Sequence, residues 1–225
     1  MSLRHFHDEL DKLKGSLVAM AGHAERLVQT AVEALLERDT EKAAAVIEGD
    51  NDIDELELRI DDIAINLLAL QQPMAKDLRL ITMAMKISND LERVGDHAVN
   101  IAEAVHYLTK APPFPVLPEI EEMTRVANDM LAQSLDAFIR SDNALAREIV
   151  HLDDRVDELH ENNFRILLTH MMEDPRKITA GMDLLLVSGN LERIADLATN
   201  ISEDVVYMVE GRTIKHHAER TDARG

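Results

Sequence analysis

The chain has no cysteine and no tryptophan, only 3% aromatic residues and eight glycines in 225 positions. It also lacks any uninterrupted apolar run of the roughly 18 residues needed to cross a bilayer. Each absence closes a class of function. Without cysteine there are no disulfides, no thiolate metal sites and no cysteine nucleophile. Scarce aromatics and glycine, beside abundant alanine, leucine, isoleucine, methionine and glutamate, argue for helices over sheet. Positive charge is short: 24 Lys and Arg stand against 43 Asp and Glu, a formal charge of −19. Such a surface repels nucleic acid and anionic membranes, and no local Lys/Arg cluster offsets it. The opening segment MSLRHFHDELDKLK is charged throughout and has no signal-peptide core. The expectation is a cytoplasmic protein with no nucleic-acid partner and no direct membrane insertion. A glycine-rich phosphate loop, a nucleophile elbow and a repeated His/acid pair are also missing.

What is present is a polar pattern that occurs twice, 100 residues apart. SNDLERVGDHAVNIAEAVHY runs from Ser88 to Tyr107 and SGNLERIADLATNISEDVVY from Ser188 to Tyr207; over 87–107 and 187–207, 11 of 21 residues are identical. A packed core can be kept with many apolar residues. Retaining Glu92/Glu192, Arg93/Arg193, Asp96/Asp196, Asn100/Asn200 and Glu103/Glu203 asks for chemistry or a specific contact. The chain reads as a tandem duplication with this stripe as its working surface.

The spacing of Ile53, Leu56, Ile60, Ile63, Leu67 and Leu70 is an a/d seam of a long packed helix. Breaks at Glu37–Thr40, Gln71–Pro73, Ala111–Pro118, Ser141–Asn143 and Asp174–Pro175 predict six helices, roughly 5–37, 41–70, 74–110, 119–140, 144–172 and 176–210. Asp39, Thr40 and Asp142 are the candidate caps. The fold class is all-α: two tandem antiparallel three-helix bundles related by a pseudo-twofold axis. The domains are residues 1–110 and 119–211, joined by a proline-rich linker at 111–118 and followed by a frayed tail at 212–225. Before the third helix of each half the repeat offset is 103, so that Asp50 and Asp54 correspond to Asp153 and Asp157.

In the third helix Ile87, Leu91, Val94, Ala98, Ile101, Val105 and Leu108 form an apolar seam. Val187, Leu191, Ile194, Ala198, Ile201, Val205 and Met208 repeat it in the sixth. Glu92, Asp96, Asn100 and Glu103, with Glu192, Asp196, Asn200 and Glu203, fall on the far side of their helices. Like charges at i,i+4 destabilise a helix by a few tenths of a kcal/mol each, so a pairing kept twice points to a cation that offsets the repulsion. Asp50/Asp54 and Asp153/Asp157 add an i,i+4 pair on the middle helix of each half. Four carboxylates on adjacent helices suit hard cations such as Mg²⁺, Mn²⁺ or Ca²⁺, and accept Fe or Zn. A solvated acidic face is the plainer alternative. The Glu103-x-x-His106 spacing of di-iron bundles has no second copy, since the repeat gives Glu203-x-x-Val206. His97 becomes Leu197, and His216–His217 lie in the tail.

With these residues laid out, the chain resembles the PhoU family of bacterial phosphate-transport accessory proteins. The similarity is carried by QQPMAKDLRLI (Gln71–Ile81), KISNDLERVGDHAVNIA (Lys86–Ala102) and NLERIADLATNISEDVVYMVEG (Asn190–Gly211). FHDELDKLK and VIEGDNDIDELE also fit. The resemblance implies two three-helix domains and surface metal clusters on E(D)-x-x-x-D motifs, divalent or multinuclear, with Fe, Zn, Mg or Mn as candidates. It implies a non-enzymatic repressor of the phosphate-starvation regulon and of phosphate uptake. The partners implied are the ATPase subunit of the phosphate ABC transporter and the cytoplasmic part of a membrane sensor histidine kinase, with homo-oligomers common. The alternative is a carboxylate-bridged metalloenzyme or metal-storage bundle. Asp54 stands where the family more often has Asn, and Ala195 and Leu197 replace Gly95 and His97, so the two sites are not expected to be equivalent.

Overall fold

A computed structural model describes residues 3–112, 114, 117–212 and 214 of the chain. Among them secondary structure is entirely helical: α1 (Leu3–Glu37), α2 (Thr40–Gln71), α3 (Ala75–Leu108), α4 (Pro118–Arg140), α5 (Asn143–Val150), α6 (Asp153–Glu173) and α7 (Ile178–Glu210), with a 3₁₀ turn at Pro175–Lys177.

The first turn of each half is built the same way. Arg38 (φ 55) and Ser141 (φ 55) take the left-handed conformation that ends α1 and α4. Asp39 and Asp142 then begin the next helix. Asp39 accepts from the backbone N–H of Glu41 (2.9 Å) and Lys42 (3.1 Å), and Asp142 from that of Leu145 (3.0 Å). These bonds satisfy amides that have no partner inside the helix. Thr40 is the first helical residue and not a cap.

Both third-helix seams are buried along their whole length, Ile87 to Leu108 and Val187 to Met208. In α2, Ile53, Ile60 and Leu67 are buried, but Leu70 is 65% exposed because it lies beyond the last core layer, at the turn through Gln72. The buried side chains form one core that runs through both halves. α3 and α7 pack antiparallel across the join. Arg79 Nε donates to the Met208 carbonyl (3.0 Å), Lys86 Nζ pairs with Asp204 Oδ1 (2.6 Å), and His97 Nδ1 lies 2.9 Å from Asn190 Oδ1. Arg38 fastens the linker side by donating to the carbonyls of Leu108 and Ala111. Phe114 stacks edge-on against His170 at 5.3 Å. The tail residues 215–225, with His216 and His217, lie outside the described residues.

The expected single helix at 144–172 is two, α5 and α6, broken at His151–Leu152. There the bonding tightens to three-residue steps: His151 N to Glu148 O, Leu152 N to Ile149 O and Arg155 N to Leu152 O. The first half keeps α2 continuous through the equivalent place. A Cβ built on Gly95 would collide with Asp50 Oδ1 and stand 3.0 Å from Ile53 Cδ1, so α2 sits against bare backbone. Ala195 carries that Cβ in the second half, where the facing helix is interrupted just before Asp153.

Candidate metal centre

The first cluster lies where α2 passes α3. Asp50 and Asp54 come from one helix, Glu92 and Asp96 from the other, each pair one turn apart. Asp50 is half-buried, and its carboxyl is pushed up to about 6 by desolvation first, then by the charges of Asp54 and Asp96. Glu92 is raised in the same way, by burial and then by Asp96, Glu57, Asp54 and Asp50. The four expected carboxylates therefore share one electrostatic neighbourhood, joined by Glu57.

The second cluster repeats this on α6 and α7. Asp153 is pushed up to about 7 by burial and by Asp196, Asp157, Glu192 and Asp154. Glu192 is raised by burial and by Asp196 and Asp157, while His160 and Arg193 pull it down. Asp196 is raised by burial and by Asp157. In both halves acids are held together against their own repulsion, and no basic side chain dominates either cluster.

The rest of the stripe goes elsewhere. Asn100 Nδ2 donates to Asn190 Oδ1 (3.4 Å), on the side of α3 that meets α7. There His97 shares the same acceptor, and Arg93, Asp96, His97, Val99 and Asn100 line a groove of about 280 Å³. Glu103 is exposed and Asn200 and Glu203 are partly exposed. None of these three is among the charges that raise the clustered acids. Helix geometry gives the reason. Glu103 lies seven residues past Asp96, about 10 Å further along the axis, and Asn100 is turned about 80° from Glu92, toward α7. Burial of His97 lowers its basicity, Asn190 raises it, and Arg193 and Arg93 lower it further. Sequence reasoning passed over Glu57 and His160, although the offset of 103 already paired them, one turn beyond Asp54 and Asp157.

The donor chemistry fits a cation. The oxygens are anionic, and the gap at Gly95 lets Asp50 seat against α3, a place a Cβ would fill. Among the described residues no three His, Cys, Asp or Glu side chains form a group that could hold a metal ion as they are placed. Each cluster is a looser bowl of like charges.

Comparison with known proteins follows the same division of the chain. The family model described as PhoU domain matches residues 17–105 and again 120–205. A phosphate-specific transport system accessory protein PhoU homolog of Aquifex aeolicus is 41% identical over 92% of this chain and 94% of the relative. That of Zymomonas mobilis is 38% identical over 98% and 93%. The crystal structure of PhoU from Pseudomonas aeruginosa superposes with a TM-score of 0.87 at 38% identity, covering 92% of this chain and all of that one. A phosphate transport system regulatory protein PhoU from Streptococcus pneumoniae gives 0.87 at 30%, covering 93% and 99%.

Proposed function

Since the chain belongs to the PhoU family, we propose that it is an accessory regulator of phosphate transport that works by holding partner proteins, with no reaction of its own. Its relatives are named as accessory proteins of a phosphate-specific transport system, which supports association with transport machinery. The finer reading is that it restrains phosphate uptake and represses the phosphate-starvation regulon, linking the transporter's ATPase subunit to the cytoplasmic part of a sensor kinase. Among the described residues no helix is long and apolar enough to cross a membrane, in keeping with a protein that reaches such partners from the aqueous side.

The observation that carries this reading is the duplicated carboxylate bowl, one on each half of a single core. Asp50, Asp54, Glu92 and Asp96 would hold one cation or cluster, and Asp153, Asp157, Glu192 and Asp196 another. A bound divalent ion supplies positive charge that cancels the repulsion among these acids. The helices hold the side chains in register, and Gly95 gives Asp50 its seat. Two such surfaces at fixed spacing suit a protein that bridges two partners.

Deleting the gene should raise phosphatase expression and phosphate uptake in phosphate-rich medium. Normal repression in a deletion strain without a second copy would refute the regulatory reading. Metal binding is tested separately on chelated protein. An ion that binds only the folded state stabilises it by roughly 2.7 kcal/mol at a hundredfold excess over its dissociation constant. Melting should therefore rise with Mg²⁺, Mn²⁺, Zn²⁺ or Fe²⁺ in the wild type and rise less in D96N/D196N. Equal shifts in both proteins would remove these residues from the site.

A further inference from the structure

We propose that the outer face of α6 and α7 is a docking surface for an amphipathic helix of a partner protein, one whose apolar side chains are followed at one end by lysine or arginine. The proposal rests on the accessory reading above and gives the partner a place and a chemistry.

Six large apolar side chains stand on this face. Phe164, Leu168 and Met172 follow one another at i,i+4 on α6, and Ile178, Met182 and Leu186 do the same on α7; each is between 41% and 77% exposed. The two rows run side by side. Met171 lies against the bare backbone of Gly181, Asn163 Nδ2 donates to Ser188 Oγ (3.1 Å), and the charge of Asp196 acts on Asp153. That antiparallel register sets Met172 level with Ile178, Leu168 with Met182 and Phe164 with Leu186. A single exposed apolar residue is ordinary, but six together mark a contact surface. The fold does not require them. At the equivalent places the first half carries Asp61, Ile65 and Ala69 on α2 and Leu78, Thr82 and Lys86 on α3.

Charge names the occupant. Asp196 follows Ile178 by 18 residues, about five whole turns, so it stands on the same line of α7. Asp157 precedes Phe164 by seven residues, about two turns. The apolar rows therefore run into the second bowl, and Arg165 beside them is already paired with Glu161. An occupant matched to the whole face needs apolar residues over the rows and cations over the acids. One divalent ion in the bowl would leave it net negative, so the match survives metal binding. A second copy of the chain carries the same acids and no Lys/Arg cluster to meet them. The chain's own tail begins at Gly211, about 50 Å along α7 from Ile178, and Ile214 is the one large apolar residue in 212–225. Neither fits both parts of the face. A helix anchored at i, i+4 and i+7 or i+8 does. From Met172 to Asp153 the face is about 28 Å long, the length of a helix of roughly 20 residues.

The test uses the full chain and F164D/M182T/L186K, which gives the second half the residues that the first half carries at the same places. Circular dichroism and melting verify its fold. The probe is a labelled synthetic helix of about 20 residues, with leucines at i, i+4 and i+8 toward one end and lysines at the other, read by fluorescence anisotropy. It should bind the wild type and bind the triple variant about tenfold or more weakly, and it should lose about as much when its lysines become glutamates. In cells, the folded triple variant should fail to repress phosphatase in phosphate-rich medium. No probe binding by the wild type, equal affinity for both proteins, or normal repression by the variant in a strain whose gene deletion derepresses would each overturn this proposal and leave the accessory reading standing. Repression that survives the deletion would overturn the accessory reading instead, and probe affinity then decides the surface. Self-association of the wild type that the triple variant abolishes, without probe binding, would assign the face to a second copy and overturn the proposal.

Discussion

Gly95 and Ala195 occupy equivalent places, and one methyl group separates them. In G95A the new Cβ must displace the Asp50 carboxylate and press on Ile53. The helix itself gains about 0.8–1 kcal/mol from alanine, so melting should change little while divalent affinity of the first bowl falls and that of the second holds. Calorimetry on G95A with each bowl disabled in turn reads this, and unchanged affinity in the first bowl would count against the seat assigned to Asp50. The raised acids give a second expectation, for metal-free protein. Asp50 and Asp153 go from an ordinary 3.8 to about 6 and about 7 on folding. The folded state binds their protons more tightly than the unfolded one. Their contribution is thus complete below about pH 4 and is lost as pH rises to about 7. D153N should flatten the upper part of that decline in melting temperature measured with chelator present. Of the site, the four paired carboxylates of each half were legible because i,i+4 spacing was repeated. Asn100 and Glu103 were not separable from them, since identity at both copies does not report what a residue faces or where along its helix the neighbouring acids end. His160 escaped notice because it differs between the copies, and repetition carries no signal there.

At the scale of the helix, five of the six expected helices survive with ends within two or three residues, since proline, aspartate caps and periodicity act locally. The break between α5 and α6 was not legible, because residues 144–172 hold no proline or glycine to mark it. Leu70 fits the heptad yet is exposed, as periodicity does not say where a core ends. The caps make a direct prediction. D142A removes the acceptor of the Leu145 amide at the start of the short α5 and should cost about 1 kcal/mol, and D39A about the same at α2. Urea unfolding at constant m-value checks both. A loss of only a few tenths at D142A would mean that α5 is held by Ala146 and Ile149 in the core and not by its cap.

At the scale of the molecule, the two halves share one core through α3 and α7. Unfolding by urea, followed by circular dichroism and by hydrogen exchange, should therefore show one coincident transition in metal-free protein. Two transitions would mean that each half is stable by itself. The duplication and its offset made the two-bundle fold legible, whereas the polar join of Lys86 with Asp204 and of His97 with Asn190 was not. Those residues differ between the copies, and nothing local marks them as facing one another.

That join is written so that only unlike halves match. Were two first halves to meet through the same symmetry, Lys86 would face Ala104; were two second halves to meet, Leu186 would face the buried Asp204 and its lysine would be gone. The ion pair therefore favours the match of a first half with a second half, whether the two belong to one chain or to two. K86E and D204K each place like charges across their own join. Refolded together they can exchange, so that the acid introduced in one chain meets the base introduced in the other, while the unaltered Lys86 meets the unaltered Asp204 in the same closed pair of chains. Size-exclusion chromatography should show a larger assembly from the combination than from either variant alone. The same size from the mixture would mean that the ion pair does not govern how the halves recognise each other.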